Sequence, residues 1–231
     1  MKFSAIPIHR HTVASPLGTI TLAATGHGLA GLWFEAQRHA PDMRGWIDAP
    51  EHTLLRQAKR QLDAYFAGAT DGFDLPLDLS HGTAFQQSVW RGLLGIARGR
   101  TESYGALAAR IGSAAAVRAV GAAVGRNPIS LIVPCHRVLG GRGELTGYAG
   151  GLQRKVALLT IEGALWRTAG PDRTDAVPAH RPPAETRWHE TVPAPPPEPA
   201  TRPARGGRAT DAEAAGAGRA ELHRTGAGTV R

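Results

Sequence analysis

A single cysteine, Cys135, stands among 231 residues. With one thiol the chain can form no internal disulfide and no zinc site built on several thiolates, so whatever it folds into is held by apolar packing. The apolar residues, 42% of the total, suffice for that, but they are unevenly placed. From Ala169 onward the chain carries 10 of its 17 prolines and, besides them, only Val177, Trp188, Val192, Leu222 and Val230 as sizeable apolar side chains. Such a segment buries too little surface to offset its conformational entropy. Residues 169–231 are therefore read as a disordered tail, and the core must come from residues 1–168. A lone free thiol fits a reducing compartment. The opening Met1-Lys2-Phe3-Ser4-Ala5-Ile6-Pro7 is broken too early for a signal-peptide core, and no later stretch approaches membrane-spanning length. The expectation is a cytoplasmic monomer with no membrane contact.

The formal net charge of +8 is concentrated. Residues 1–84 carry 7 basic and 8 acidic side chains, residues 85–167 carry 11 and 3, and residues 168–231 carry 9 and 8. The excess thus lies in the segment that also holds Cys135. A localised positive field beside a nucleophile points to a polyanion such as DNA, whereas a general preference for arginine would spread more evenly.

In residues 1–82, Ile20, Leu22 and Ala24 alternate with polar positions, Gly26-His27-Gly28 reads as a turn, and Leu29 to Phe34 resumes an apolar strand. Leu54, Leu55, Ala58, Leu62, Tyr65 and Phe66 then fall on one helical face that Gly68 ends. Phe73, Leu75, Leu77 and Leu79 predict one more strand. This is a small α/β domain without a catalytic constellation. His9, His11, His27, His39 and His52 read as surface or turn residues, and no metal site is expected.

Residues 83–168 predict a mainly helical domain. Thr83 and Gln86 have the spacing of a capping box, opening a helix that buries Phe85, Val89, Trp90, Leu93 and Leu94 and runs to about Ala97. Two shorter helices follow, Ser103 to about Ile111 and Ser113 to about Gly125, with only Gly112 between them. In a basic segment that arrangement reads as a helix-turn-helix, although any corner between two helices looks similar. The second helix is nearly all Ala, Gly and Val, with Arg118 its only charge. Small side chains let a helix press against a nucleic-acid groove, and one projecting arginine can enter the base stack or meet phosphate. The bland reading is a core helix whose arginine snorkels to solvent.

Cys135 itself sits in Ile132-Val133-Pro134-Cys135-His136-Arg137-Val138. Most free cysteines are small buried hydrophobes. Here a proline fixes the backbone before the thiol and two cationic side chains follow it, which predicts a thiol of lowered pKa and a nucleophilic role.

Seven blocks occur in one order: Phe85-Gln86-Gln87-Ser88-Val89-Trp90, Ser103-Tyr104-Gly105, Arg118-Ala119-Val120-Gly121, Asn127-Pro128, Pro134-Cys135-His136-Arg137-Val138, Gly147-Tyr148-Ala149-Gly150-Gly151-Leu152 and Leu158-Leu159-Thr160-Ile161-Glu162-Gly163. In these the chain resembles the O6-alkylguanine-DNA alkyltransferases, the methylated-DNA–protein-cysteine methyltransferases, over roughly residues 10–167. The resemblance implies an α+β fold: a ribonuclease H-like N-terminal domain, then a helical domain with the helix-turn-helix. It implies direct-reversal repair of double-stranded DNA carrying O6-alkylguanine, one turnover per molecule, and no cofactor. The base is flipped from the duplex; Arg118 fills the gap, with Tyr104, Ser103 and Ala119 against the DNA. Tyr104 crowds the flanking phosphate and donates to the guanine. Cys135 attacks the alkyl carbon, His136 takes the thiol proton through a water while Glu162 holds it, and Asn127 pins the turn before the active-site strand. Pro134, Val138, Tyr148 and Ala149 line the pocket, with backbone N–H groups near Tyr148 and Ala149 meeting O6. Some members carry serine where Ala149 stands, so no hydroxyl contact is made there. Some carry zinc in the N-terminal domain; the cysteines for it are missing here.

Two other readings are separable. Alkyltransferase-like proteins bind the lesion without removing it, and are marked by loss of the cysteine that this chain retains. A cysteine hydrolase using Cys135 and His136 directly is disfavoured, because neighbours in a strand point to opposite faces.

Overall fold

The computed structural model describes residues 7–166; the segment read as a tail, 169–231, lies outside them. Alternating side chains build the first half. Strands β2 (Ile20–Thr25) and β3 (Gly28–Phe34) form the expected antiparallel hairpin, in register from Ile20↔Phe34 to Thr25↔Gly28. Every residue of β3 is buried, because its two faces serve two clusters: Leu29, Leu32 and Phe34 enter the main core, while Trp33 packs with Ile8, Ala23, Met43 and Trp46.

Two findings depart from expectation. His9 and His11 lie in a strand, β1 (His9–Val13), which pairs antiparallel with β2 and parallel with the short β4 (Ile47–Asp48), giving sheet order β3-β2-β1-β4. Its polar sequence conceals it. The strand expected over Phe73–Leu79 reduces to one bridge, Leu77 to Leu29. Pro76 at its centre has no N–H to give a ladder; instead Leu29 N donates to Pro76 O at 2.8 Å and Asp78 N to Leu29 O at 2.8 Å. Helix α1 (Thr53–Phe66) lays Leu55, Ala58, Leu62 and Tyr65 on the core, and the chain turns away at Gly68 with φ +70°.

The second half opens as the capping spacing predicts. Gln86 N donates to Thr83 Oγ1 at 3.2 Å and Thr83 N to Gln86 Oε1 at 3.0 Å, starting α2 (Ala84–Leu94), which ends three residues before Ala97 and buries Val89, Trp90 and Leu93 but leaves Phe85 and Leu94, at its two ends, exposed. Helix α3 (Tyr104–Arg110), Gly112 at φ +72°, a 3-10 turn at Ala114–Ala116 and α4 (Val117–Val124) form the helix-turn-helix. Trp90 of α2, fully buried, donates its indole N–H to Ala123 O of α4 at 2.9 Å. Helix α5 (Leu152–Ile161) closes the described chain.

The halves share one core, from Val13 to Leu158. The free edge of β3 also receives the second half: Leu32 N donates to Pro128 O at 2.9 Å and Ser130 N to Leu32 O at 3.0 Å. That pairing fixes the segment just after Asn127. A parallel ribbon of β5 (Glu102–Ser103) and β6 (Val138–Leu139) places Tyr104 beside the chain that follows Cys135. Among the described residues no helix is long and apolar enough to cross a membrane.

Candidate active site

Cys135, His136 and Arg137 form a 3-10 turn rather than part of a strand. The turn follows Pro134 and is held by Asn127. That amide donates through Nδ2 to Val133 O at 2.7 Å and to Cys135 Sγ at 3.0 Å, and accepts at Oδ1 from Ile129 N at 3.0 Å. Asn127 thus ties together the chain on both sides of the turn, and it also touches the sulfur.

The electrostatics correct one expectation. Burial pushes the Cys135 thiol up, and the Asn127 N–H and the Lys155 ammonium are foremost among the groups that pull it back. The two basic side chains next to it in sequence face elsewhere, toward Glu162. His136 Nε2 meets Glu162 Oε1 at 2.9 Å, Arg137 Nη2 donates to the same oxygen at 2.8 Å, and Arg137 Nε donates to Oε2 at 2.8 Å. A fourth contact comes from the first half, the Tyr65 hydroxyl donating to Oε1 at 2.8 Å. Burial alone would push the Glu162 carboxyl up; His136 and Arg137 hold it well below the usual carboxylate range. It is an anion, so His136 Nε2 carries a proton and Nδ1 is left as the acceptor. Nδ1 is buried without a hydrogen-bond partner among the described residues, and burial keeps the imidazole below its ordinary pKa despite Glu162.

Cys135 opens onto a cavity of about 170 Å³ lined also by Arg38, Tyr104, Gly121, Val124, Gly125, Gly147, Tyr148 and Ala149. Tyr104, Tyr148 and Ala149 are thus brought together with the thiol. Pro134 and Val138 are not: Val138 is fully buried and Pro134 lines a separate cleft behind the turn, with Arg137 and Glu162. Arg118 and Ala119 lie on the first turn of α4, the helix that supplies Gly121 and Val124 to the cavity wall. Ser103 spends its hydroxyl as the α3 cap, accepting from Ala106 N at 3.1 Å.

Two family descriptions match in chain order. Residues 8–79 match "6-O-methylguanine DNA methyltransferase, ribonuclease-like domain" and residues 84–164 match "6-O-methylguanine DNA methyltransferase, DNA binding domain". The methylated-DNA–protein-cysteine methyltransferase of Mycobacterium leprae is 49% identical over 155 residues, which cover 67% of this chain and 92% of that protein. The chain belongs to the 6-O-methylguanine DNA methyltransferase family. A relative of the same name from Methanosarcina acetivorans is 48% identical over 153 residues, covering 65% of this chain and 95% of its own. Among solved structures, Mycobacterium tuberculosis OGT in complex with DNA is 50% identical, with TM-score 0.64, over 67% of this chain and 92% of that one.

In this methyltransferase-family chain the site also holds residues that sequence reading missed. Lys155, fully buried, donates to Val138 O at 2.6 Å and Thr146 O at 2.9 Å. A signal existed: Lys155, Leu158, Leu159 and Glu162 recur at the spacing of one buried helical stripe, where a charge needs a reason. Arg38 donates to the cavity wall, backbone N to Ala149 O at 3.0 Å and guanidinium to Tyr148 O at 3.5 Å. Among the described residues no group of three or more His, Cys, Asp or Glu that could hold a metal comes together.

Proposed function

We propose that this chain repairs O6-alkylguanine in double-stranded DNA by moving the alkyl group onto Cys135, once per molecule. The observation that carries the reading is the only thiol of the chain on the wall of a small cavity, with its Sγ touched by Asn127 and a carboxylate-held imidazole in the same turn. A base inside a duplex cannot be attacked in line at its exocyclic carbon, so it is flipped into the cavity. Arg118 enters the gap in the stack, Ala119 and the small residues of α4 lie in the groove, and Ser103 and Tyr104 meet the flanking backbone. The peptide N–H groups near Tyr148 and Ala149 face O6, and Pro134 and Val138 support the pocket from beneath. The Cys135 proton passes through a water to His136 Nδ1. The sulfur then bonds to the alkyl carbon, the carbon–O6 bond breaks, and guanine leaves with the electron pair and takes a proton from water, His136 returning the thiol proton to solvent to close the balance. Glu162 stabilises the imidazolium. The thioether is not hydrolysed, so the protein is consumed.

The reading includes a ribonuclease-like domain at 1–82, a catalytic and DNA-binding domain at 83–168, and a cytoplasmic monomer that needs neither metal nor cofactor. Its test is a duplex carrying O6-[³H-methyl]guanine. Label should reach the protein at a ratio no higher than one per molecule, and Cys135→Ser should bind the duplex without accepting label. Repeated turnover, or transfer by the serine variant, contradicts the reading.

A further inference from the structure

The carboxylate of Glu162 is held by groups from two sources. His136 and Arg137 belong to the turn that carries Cys135, whereas Tyr65 belongs to α1, 97 residues away in sequence. We propose that Tyr65 is a positioning residue of the alkyl-transfer site, the hydroxyl by which the N-terminal half fixes the Glu162 carboxylate and, through it, the proton on His136. The inference rests on the function proposed above.

Geometry makes the hydroxyl distinctive. Glu162 is the C-terminal cap of α5, and helix ends fray unless something outside the helix holds them. Arg137 chelates the carboxylate, but it moves with the turn it is meant to orient. Tyr65 is the hydrogen-bonding partner that comes from outside the C-terminal half. It is itself immobilised: its ring lies 5.4 Å from Phe66 and 5.4 Å from Phe73, with the Arg98 guanidinium 5.2 Å above it. Arg98 in turn donates to Ile161 O at 3.2 Å and to Thr70 O, tying the end of α5 to the loop after α1. Burial first, then the Glu162 charge, raise the phenol far above its ordinary range, so the hydroxyl is a donor across the pH range of interest.

Three donors converge on Oε1, and a carboxylate oxygen shared three ways offers less negative charge to each. Removing the Tyr65 proton leaves more of that charge to His136, which favours the imidazolium. The groups facing His136 are Glu162 and Lys155 from α5, Arg137 and Cys135 from its own turn, and Tyr65 from α1, with Arg98 behind the phenol. Only the phenol is altered by Tyr65→Phe, which keeps the ring and its contacts.

The experiment measures two quantities on the full chain, for the unmodified protein, Tyr65→Phe and Phe73→Leu. One is the rate of label transfer from O6-methylguanine duplex against pH; the other is the ¹⁵N shift pair of the His136 ring, which reports tautomer and protonation without any transfer. Tyr65→Phe should transfer label about tenfold more slowly near neutrality, with its acidic limb moved to higher pH and the His136 nitrogens shifted in the same sense. Phe73→Leu disturbs the same packing and should lower the melting temperature without moving either. Unchanged limb and nitrogen shifts in Tyr65→Phe, or equal changes in Phe73→Leu, overturn the proposal. If no protein accepts label, the functional reading fails, and the His136 shifts still decide whether Tyr65 positions the relay.

Discussion

Lys155 shows how much of this site depends on single buried groups. Its ammonium replaces lost water with two carbonyls, Val138 O and Thr146 O, and burial lowers its pKa to about 8 while the neighbouring Cys135 raises it. Hydrogen bonds to a charged group contribute roughly 1.5–3 kcal/mol, so Lys155→Met should lose about 2 kcal/mol in urea unfolding at pH 7. A second signature follows from the sign of the shift. Between about pH 8 and the unfolded value of about 10.4 the unfolded chain binds more protons at this position than the folded one, so stability rises with pH there. In a Cys135→Ser background, which removes the coupled thiol, that rise should be present with Lys155 and absent after Lys155→Met; parallel curves would mean the ammonium is not the group responsible. The same scale marks the limit of the sequence. The blocks pointed to Cys135, His136, Asn127 and Glu162, which the fold brings together, but adjacency misplaced the charge: Arg137 and the Nε2 side of His136 face Glu162 rather than the sulfur. Tyr65 could not be found at all, because nothing local to α1 states what its hydroxyl will meet 97 residues later.

At the scale of elements, what was legible was whatever is decided within a turn or a few residues. The capping box at Thr83 and Gln86 and the glycine corner at Gly112 both formed where their chemistry placed them. Elements whose existence depends on a partner were harder. The polar strand β1 exists because β2 and β4 flank it, and the Phe73–Leu79 alternation fails as a strand because Pro76 cannot donate. Glycines inside helices are decided by neighbours in the same way. Replacing a helical glycine by alanine gains about 1 kcal/mol from backbone preference, but at Gly92 the new methyl would stand 2.7 Å from Ile111 Cγ2 and 3.2 Å from Leu107 Cδ1. Relieving that overlap means shifting α3 against α2, and overpacking costs about 1–3 kcal/mol. Gly92→Ala should therefore lower the melting temperature. Gly105→Ala, whose methyl approaches nothing nearer than Ser103 Oγ at 3.9 Å, should raise it. A gain at both positions would show that α2 and α3 are not closely packed.

Among the described residues the two halves share the main hydrophobic cluster, and one of the connections between them is a buried carboxylate. Asp78 accepts from Thr25 Oγ1 of β2 at 2.7 Å, from Ser80 N at 3.0 Å and from Ser80 Oγ at 2.5 Å, with His81 Nε2 at 3.2 Å. It thereby fastens the sheet to the segment that leads into Thr83 and α2. Burial works to raise its pKa, but the Ser80 and Thr25 bonds and the His81 charge outweigh it and hold the group at about 2. The folded value lies below the unfolded one of about 3.9, so the folded state binds fewer protons between them. The stability this carboxylate contributes is present above about pH 4 and is lost as pH falls toward 2. Asp78→Asn keeps the shape and removes the charge. Because the halves share a core, the variant should still unfold in one cooperative transition, less stable than the unmodified protein by about 2 kcal/mol at pH 7. Below about pH 4 the gap should narrow, since protonation brings the unmodified protein toward the state the variant already occupies. Urea unfolding at pH 7, 4, 3 and 2.5 measures the gap directly; one that stays constant to pH 2.5 would mean that Asp78 joins the halves by shape alone.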